Sequence, residues 1–368
     1  MRRIAPAMTT GRYAVLPGVR KIAVLRPNAV GDFVFALPAL HALRAAYPAA
    51  ELVLLGRDWH AAFLAGRPGP VDRVVVVPPL PGIGLPADTP GHGAREDFVG
   101  AMRAERFDIA CQMYGGGAYA NPLVAAFGAR LAVGARAEGA PALERWVRYA
   151  EPANRRLALL EVAALAGAAT FSFGDAAGSE LALTEADRHA AGAVLPAEPG
   201  ERLVVLQPGS TDPRRRWPAR SFALVGDALA RLGARVVVNG SADEAPLAGA
   251  VLAAMEEPAL DLSGRLGLGG LCGLLARAAL VVSNDTGPLH LALALGRPCV
   301  GVFWLTNLID GAPLRQGLLR AALALRVDCP VCGMPNLRSR CAHDASFVAD
   351  VPAAEVIALA MAVLRDPP

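Results

Sequence analysis

The sequence predicts an α/β protein with two doubly wound domains. Short, uniformly apolar segments alternate with segments of helical character, which is typical of parallel strands covered on both faces by helices. The alternation starts at Lys21, breaks off after Met113 and starts again at Arg202. The length of 368 residues also suits two domains, because a domain commonly has roughly 150 residues.

Each of the two series contains four strand-like segments with helical segments between them. The predicted strands are Lys21–Leu25, Glu51–Gly56, Asp72–Pro78 and Phe107–Met113, then Arg202–Gly209, Ala234–Gly240, Leu280–Gly287 and Pro298–Trp304. The predicted helices are 33–48, Trp59–Ala65 and Arg95–Arg106, then Pro218–Leu232, Leu271–Ala279 and Pro288–Gly296, with Pro352–Leu364 near the end.

This pattern predicts four parts of the chain. We expect a flexible lead-in at 1–20, an N-terminal Rossmann-like domain at 21–185, a C-terminal Rossmann-like domain at 200–347 and a final helix within 350–368. The domain boundary is expected in the weakly periodic stretch Phe173–Pro199, which contains glycine and proline.

The composition excludes several classes of protein. Hydrophobic residues make up 54% of the chain, which is incompatible with a largely disordered protein. The formal net charge of +3 is small, so we expect no nucleic acid among the partners. Lys21 is the only lysine among the 36 basic residues, and the remainder are arginines.

Hydropathy and cysteine usage indicate a soluble, cytoplasmic protein. No stretch reaches the roughly 18 apolar residues of a membrane span. The first 20 residues lack the continuous apolar region of a signal peptide. Six cysteines in so long a chain do not indicate a disulfide scaffold.

The loops after the predicted strands are the expected sites of chemistry, because ligands of open α/β sheets bind at the carboxyl ends of the strands. These loops are Arg26–Asp32, Met113–Gly117, Gln207–Trp217, Asn239–Glu244 and Ser283–His290. Two such domains facing each other would place their loops across one cleft.

The first loop places Gly31 and Asp32 at a strand-to-helix turn. Asp32 has two interpretations. It is either an N-cap that accepts hydrogen bonds from free backbone N–H groups, or a general base that takes a proton from an attacking hydroxyl. The dinucleotide-binding pattern G-x-G-x-x-G is absent after this strand.

Two loops of the second series favour anion binding. The first reads QPGSTDPRRRWP and combines Gly209, Ser210 and Thr211 with three arginines before a helix. The second reads SNDTGPLH and places small polar residues before a proline at a helix start. The alternatives are a solvated charged turn for the first and plain helix capping, with His290 in the interior, for the second. Two anion-friendly helix starts in one domain favour a nucleoside diphosphate.

Three motifs together resemble glycosyltransferase family 9, the ADP-heptose:lipopolysaccharide heptosyltransferases. They are RPNAVGDFVFALPAL, PGSTDPRRRWP and SNDTGPLHLALALGRP, and they follow in the family's order from about Lys21 to the last helix. The resemblance implies a GT-B fold, with two facing Rossmann-like domains and a cleft between them. It also implies inverting, metal-independent transfer from an ADP-sugar, and a final helix that returns to pack on the N-terminal domain.

The resemblance also implies roles for individual residues. Asp32 matches the catalytic base, and Arg215 matches a position where the family usually has lysine, serving catalysis and donor binding. The other donor-binding matches are Ser210, Thr211, Asp285, Thr286, Gly287 and His290 around the phosphates, and Glu244 at the adenosine ribose. Arg26, Asn28, Gly115 and Gly116 would line the acceptor side, and Gly117 continues that loop.

Cys329, Cys332, Cys341 and His343 form a further pattern, with the spacing C-x2-C-x8-C-x-H. Four such ligands suit a structural zinc or iron ion. The alternative is a reduced loop without metal. Members of the resembled family often carry four cysteines here, and some relatives that heptosylate proteins bind iron. No cofactor is expected to be required for catalysis.

The expected function is transfer of heptose, or a related sugar, from an ADP-sugar to a hydroxyl of a lipopolysaccharide-core or other glycan acceptor. A lipid-linked acceptor would bring the enzyme to the inner face of the inner membrane as a peripheral protein. The alternatives are a protein O-heptosyltransferase and a non-catalytic nucleotide-sugar-binding protein. A nucleotide-sugar 2-epimerase would not explain the first motif combined with the third.

Overall fold

A computed structural model describes residues 13–90, 93–169, 179–337 and 339–366. By its internal contacts the chain divides into two units, Met1–Ser172 and Phe173–Pro368. Most of the expected lead-in, residues 1–12, lies outside the described residues, as does the stretch 170–178 at the domain boundary. Within the described residues, no helix is both long and apolar enough to cross a membrane.

The first unit alternates strands and helices. Its strands are β1 (Lys21–Leu25), β2 (Glu51–Gly56), β3 (Arg73–Val76), β4 (Leu80–Pro81), β5 (Gly84–Leu85), β6 (Ile109–Gln112), β7 (Leu131–Arg136) and β8 (Arg145–Arg148). Its helices are α1 (Val30–Ala46), α2 (Asp58–Leu64), α3 (Ala94–Glu105), α4 (Ala120–Ala125) and α5 (Arg155–Leu165). The four predicted strands are present. β7, β8, α4 and α5 come from the middle section to which the sequence assigned no strands.

The main sheet of the first unit is parallel, with the order β3-β2-β1-β6-β7-β8. β1 lies at its centre and is buried along nearly its whole length because helices cover both faces. The chain crosses from one side of β1 to the other between β3 and β6. The order therefore reverses between β1 and β6, which makes their carboxyl ends a topological switch point.

The second unit has the same alternation. Its strands are β9 (Leu203–Gln207), β10 (Arg235–Val238), β11 (Leu260–Asp261), β12 (Leu280–Asn284), β13 (Cys299–Trp304) and β14 (Leu319–Ala324). Its helices are α6 (Glu185–Val194), α7 (Ala219–Ala230), α8 (Ala245–Ala254), α9 (Leu268–Arg277), α10 (Gly287–Ala294), α11 (Leu305–Gly311) and α12 (Ala353–Arg365). Short 3-10 turns lie at Pro213–Arg215 and Ala242–Glu244.

The sheet of the second unit repeats the topology of the first. Its strands are parallel in the order β11-β10-β9-β12-β13-β14, so the switch point lies between β9 and β12. Two successive doubly wound Rossmann-like units confirm the predicted α/β fold class.

Helix α6 belongs to the second unit. The division by contacts falls after Ser172, at the start of the stretch Phe173–Pro199 in which the domain boundary was expected. α6 packs closely on α9 of the second unit. Gly273 of α9 explains the close approach, because a Cβ there would lie 2.1 Å from the backbone oxygen of Asp187 in α6.

The final helix α12 buries one face within the second unit. Val356, Ala360 and Val363 lie on this face and are buried in the core of the second unit with Phe222 and Phe347. α12 contacts α7, β12, β13 and β14 there. Packing of α12 on the N-terminal domain, which the family resemblance implies, stays a prediction.

The α6–α9 contact generates a stability prediction. Gly273→Ala should lower the free energy of unfolding by about 1–3 kcal/mol, because the added methyl meets backbone that cannot move aside. Gly192→Ala on α6 is the matched control. A Cβ at residue 192 meets nothing within 4 Å, so this variant should be about 0.5–1 kcal/mol more stable. Urea unfolding of both variants measures the difference, and equal midpoints would contradict the packing.

Candidate functional site

The predicted loops lie at the two switch points. In the first unit, the turn after β1 carries Arg26–Asp32 and the turn after β6 carries Met113–Gly117. In the second unit, Gln207–Trp217 follows β9 and Ser283–His290 spans the end of β12 and the start of α10. Because β1 pairs with β6 and β9 pairs with β12, each unit brings two of its loops to one edge of its sheet.

Asp32 lies in the first turn of α1 and is not the N-cap. The N-cap is Ala29, which makes no side-chain capping bond. Asp32 Oδ1 accepts a hydrogen bond of 3.0 Å from Arg26 Nη2, and the Asp32 side chain is 41% exposed. Asp32 Oδ2 makes no hydrogen bond within the described part of the chain. The carboxylate is thus anchored by one oxygen and presents the other to solvent.

Arg26 is a positioning residue for this carboxylate. It is 5% exposed, and burial lowers the pKa of its guanidinium. Besides Asp32 Oδ1, it donates to the backbone oxygen of Asp32 at 3.0 Å and to that of Met113 at 2.5 Å. These bonds tie the β1 turn to the end of β6. The assignment of Arg26 to the acceptor side stays a prediction.

Two residues that sequence reasoning missed fix the rest of the β1 turn. Arg57 Nε donates to Pro27 O at 2.6 Å, and Trp59 Nε1 donates to Asn28 O at 3.3 Å. The Oδ1 atom of half-buried Asn28 has no hydrogen-bond partner among the described residues. Asn28 Oδ1 can therefore accept a hydrogen bond from a hydroxyl group of a ligand. No local motif marks Arg57 or Trp59, because their partners lie about 30 residues away.

The glycines after β6 shape the neighbouring turn. Gly115 has a φ of +60°, which favours glycine, and a Cβ at Gly116 would lie 2.7 Å from the Cβ of Ala137. Gln112 Nε2 donates to the backbone oxygen of Gly115, and Gly116 O accepts from Ala137 N. Glycine at residue 115 is explained by its positive φ and glycine at residue 116 by the close approach of Ala137.

In the second unit, Glu244 lies directly over the turn after β9. Its Oε2 accepts from Ser241 N at 3.0 Å in a capping box. A Cβ at Gly209 would lie 2.1 Å from Glu244 Oε1, so a side chain at residue 209 would displace this carboxylate from its present position. Ser210 is fully buried and its Oγ has no hydrogen-bond partner in the part of the chain that the structure describes, whereas Thr211 is exposed. The structure thus brings Glu244, Ser210 and Thr211 to the same turn.

Asp285 organises the other side of this switch point. Its Oδ2 accepts from Arg215 Nη1 at 3.0 Å and from Asn307 Nδ2 at 2.9 Å, and its Oδ1 accepts from His290 Nε2 at 2.9 Å. Burial acts to raise the pKa of Asp285. The hydrogen bond from His290 and the charges of His290 and Arg215 outweigh burial and lower this pKa below its ordinary value. Asn307 is a third hydrogen-bond donor to the Asp285 carboxylate, and it lies outside the motif SNDTGPLH.

The three arginines of the turn after β9 make different contacts. Arg214 is paired with Asp212 at 2.7 Å, and Arg216 Nε donates to Ser210 O at 2.8 Å. Arg215 uses Nη1 for Asp285, and 24% of its side chain is exposed. The structure thus places Arg215 on Asp285, and anion binding by the arginines of this turn stays a prediction.

The start of α10 adds backbone donors to the same place. Thr286 is the N-cap and its side chain makes no capping bond, while Gly287 and Pro288 begin the helix. The free N–H groups and the positive end of the helix dipole favour an anion here. Neither Asp285 nor Thr286 acts as the side-chain cap considered from the sequence, so the Thr286 hydroxyl is left for a ligand.

The Cys329, Cys332, Cys341 and His343 side chains come together in one cluster. Their ligand atoms all lie within 4.8 Å of one another. His343 Nδ1 is buried without a hydrogen-bond partner among the described residues. Hydrogen bonds, mainly from the backbone of His343, lower the pKa of Cys341 to about 6, which favours the thiolate that binds metals. Three sulfurs and an imidazole match the ligand set of a structural zinc site.

Comparisons with known proteins identify the family to which the chain belongs. The sequence profile of "Glycosyltransferase family 9 (heptosyltransferase)" matches residues 95–321. A lipooligosaccharide heptosyltransferase 2 of Haemophilus influenzae is 31% identical over 114 residues, which is 29% of this chain and 33% of that protein. A lipopolysaccharide heptosyltransferase 2 of Escherichia coli K12 is 26% identical over 300 residues, which is 77% of this chain and 82% of that protein.

A solved structure has the same fold. The ADP-heptose lipopolysaccharide heptosyltransferase II of E. coli superimposes with a TM-score of 0.69 at 20% identity, covering 94% of this chain and 98% of that one. The profile match covers more than half of the chain. The chain therefore belongs to glycosyltransferase family 9, the heptosyltransferase family, and is a glycosyltransferase.

Proposed function

We propose that the protein transfers a heptose, or a related sugar, from an ADP-sugar to an acceptor hydroxyl by an inverting, metal-independent mechanism. The observation that carries the proposal is the partly exposed Arg215 held on buried Asp285 beside the free N-terminus of α10. A departing diphosphate needs this combination of fixed positive charge and backbone N–H donors.

The donor would bind at the switch point of the second unit. Arg215, Thr211 and the Thr286–Gly287 helix start would contact the diphosphate, and Glu244 would accept from the adenosine ribose through Oε1. Asp285 would act behind Arg215, because its two oxygens already bond to Arg215 and His290, and His290 would act behind Asp285. The buried, unpartnered Ser210 Oγ lies in the same turn and would serve a donor oxygen.

The base would act from the switch point of the first unit. Asp32 Oδ2 would take the proton from the acceptor hydroxyl while Arg26 holds the carboxylate through Oδ1. Asn28 would bind the acceptor through its free Oδ1. The base and the leaving-group charges belong to different units, each at the switch point of its own sheet.

The proposed acceptor is the core of lipopolysaccharide, following the names of the relatives, which transfer heptose to lipopolysaccharide or lipooligosaccharide. An acceptor of this kind is anchored in a membrane, so the enzyme would work in the cytoplasm at the inner face of the inner membrane through peripheral contact. The Cys/His cluster favours a second candidate, transfer to a protein hydroxyl, because the resemblance associates metal in this loop with protein-modifying relatives.

The Cys/His cluster would hold zinc or iron as a structural ion. The close ligand atoms and the unpartnered His343 Nδ1 fit such an ion. In the proposed mechanism this ion takes no part in the transfer, because Asp32 would be the base and Arg215 would stabilise the charge of the leaving group. Metal analysis of the purified protein tests its presence.

Removal of the Arg215 guanidinium should lower turnover by about 10²–10³-fold, because one preorganised donor to a developing anion is worth about this much. Arg215→Lys should retain most of the activity, since lysine supplies a point charge at the same place. Arg220→Ala, an exposed arginine in the first turn of α7, is the matched control and should be fully active. ADP release from ADP-heptose with acceptor present is the measurement, and equal losses in Arg215→Ala and Arg215→Lys would contradict the phosphate role.

Asp32→Asn should abolish transfer, with a loss of about 10²–10⁴-fold, while ADP still binds nearly as tightly as to the native chain. The amide keeps the contact with Arg26 through its oxygen but cannot accept the acceptor's proton. Asp58→Asn, an exposed acid in the first turn of α2, should leave turnover unchanged.

Transfer and ADP affinity are measured separately, by acceptor-dependent ADP release and by calorimetry. A fully active Asp32→Asn enzyme would remove Asp32 from the mechanism. ADP-heptose binding without turnover in the native chain, across glycan and protein acceptors, would identify a non-catalytic nucleotide-sugar-binding protein instead.

A further inference from the structure

The chain segment that follows the Cys/His cluster holds the arginine turn from both sides of Arg215. Ser346 Oγ donates to Arg216 O at 2.7 Å, and Phe347 N donates to Arg214 O at 2.8 Å. These two oxygens belong to the residues on either side of Arg215. The turn that carries the candidate leaving-group cation is therefore fixed by a segment that begins three residues after His343.

Asn336 makes a second connection from within the cluster loop. It is 5% exposed, and its Oδ1 accepts from Arg214 Nη1 at 3.2 Å and from Cys341 N at 3.4 Å. Its Nδ2 donates to Met334 O at 2.8 Å and contacts Cys341 Sγ at 3.6 Å. One buried amide thus touches both a cysteine of the cluster and the neighbour of Arg215.

The cluster loop has little regular structure to hold its own shape. Between β14 and α12, its described residues form one isolated bridge, between Asp328 and Pro335, and no helix or longer strand. Side-chain contacts must therefore fix the loop. An ion shared by four side chains would remove much of its conformational freedom.

We infer that the Cys/His cluster and the arginine turn form one coupled unit, in which a metal ion at the cluster tightens nucleoside-diphosphate binding at Arg215. Asn336 is the positioning residue between them, and Ser346 is the second link. The inference rests on the proposed function, because the diphosphate at Arg215 is that of the donor. Coupling between two ligands is reciprocal, so the diphosphate must tighten metal binding by the same factor.

The test uses the full chain, Zn²⁺ as the metal and ADP as the diphosphate. Calorimetry gives the ADP Kd of the zinc-loaded and the chelator-stripped protein. We expect the stripped protein to bind ADP about tenfold more weakly, within the usual range of coupling. Competition with a chromophoric chelator gives the zinc Kd with and without saturating ADP, and the same factor is expected.

Variants separate coupling from general stability. Asn336→Ala keeps all four cluster ligands, so it should still bind one zinc while the coupling factor falls towards one. Ser346 is not one of the four cluster ligands, and Ser346→Ala should also lower the coupling factor. This second variant tests the coupling if Asn336→Ala no longer binds zinc. Ser339→Ala is the matched control, because its exposed Oγ bonds only to Pro335 O in the same loop, and it should keep the full factor.

The outcomes are distinct. Equal ADP affinity in loaded and stripped protein would overturn the coupling and leave the proposed function intact. Absence of zinc binding, or a full coupling factor in both Asn336→Ala and Ser346→Ala, would also overturn it. Absence of ADP binding in either form would instead remove the donor site itself, and the coupling would fall with it.

Discussion

The candidate chemistry of the second unit depends on one buried carboxylate. Asp285 is fixed at the end of β12 and holds Arg215, His290 and Asn307 through its two oxygens. Removing one partner of a buried ion pair typically costs about 3–5 kcal/mol, because the other charge is left uncompensated. Arg215 is therefore kept at the switch point even without a ligand. A cation held in advance loses little freedom when an anion binds, which is the basis of electrostatic preorganisation.

The choice of arginine at residue 215 follows from this arrangement. A guanidinium has five N–H donors in a planar fork, so it can bond to Asp285 through Nη1 and keep donors for a diphosphate. A lysine could also meet both partners through the three N–H donors of its ammonium group, but it would keep fewer donors for the diphosphate. The near absence of lysine in the chain is by itself explained by compositional bias. The contact with Asp285 is a second, structural reason for an arginine at residue 215.

The strand order of the two sheets was not predictable from the sequence. The sequence did locate the turns that strand pairing brings together at the two switch points. This was possible because buried parallel strands read as apolar runs and the polar turns stand out between them. Contacts between distant segments were not predictable. The burial of Arg26 depends on Met113, and the anchoring of the β1 turn depends on Arg57. The face that α12 buries likewise has partners about 130 residues away, such as Phe222.

Both switch points carry an arginine–aspartate pair. The arginine is the more buried member of the first pair, and the aspartate is the more buried member of the second. In the first unit Arg26 is buried, with 7% of its side chain exposed, and its partner Asp32 is 41% exposed. In the second unit the carboxylate of Asp285 is buried, with 8% of its side chain exposed, and its partner Arg215 is 24% exposed. In each pair the buried member holds the exposed member in place. In the proposed mechanism the exposed Asp32 would be the base and the exposed Arg215 the cation, which are the two groups that an inverting sugar transfer requires on opposite faces of the sugar.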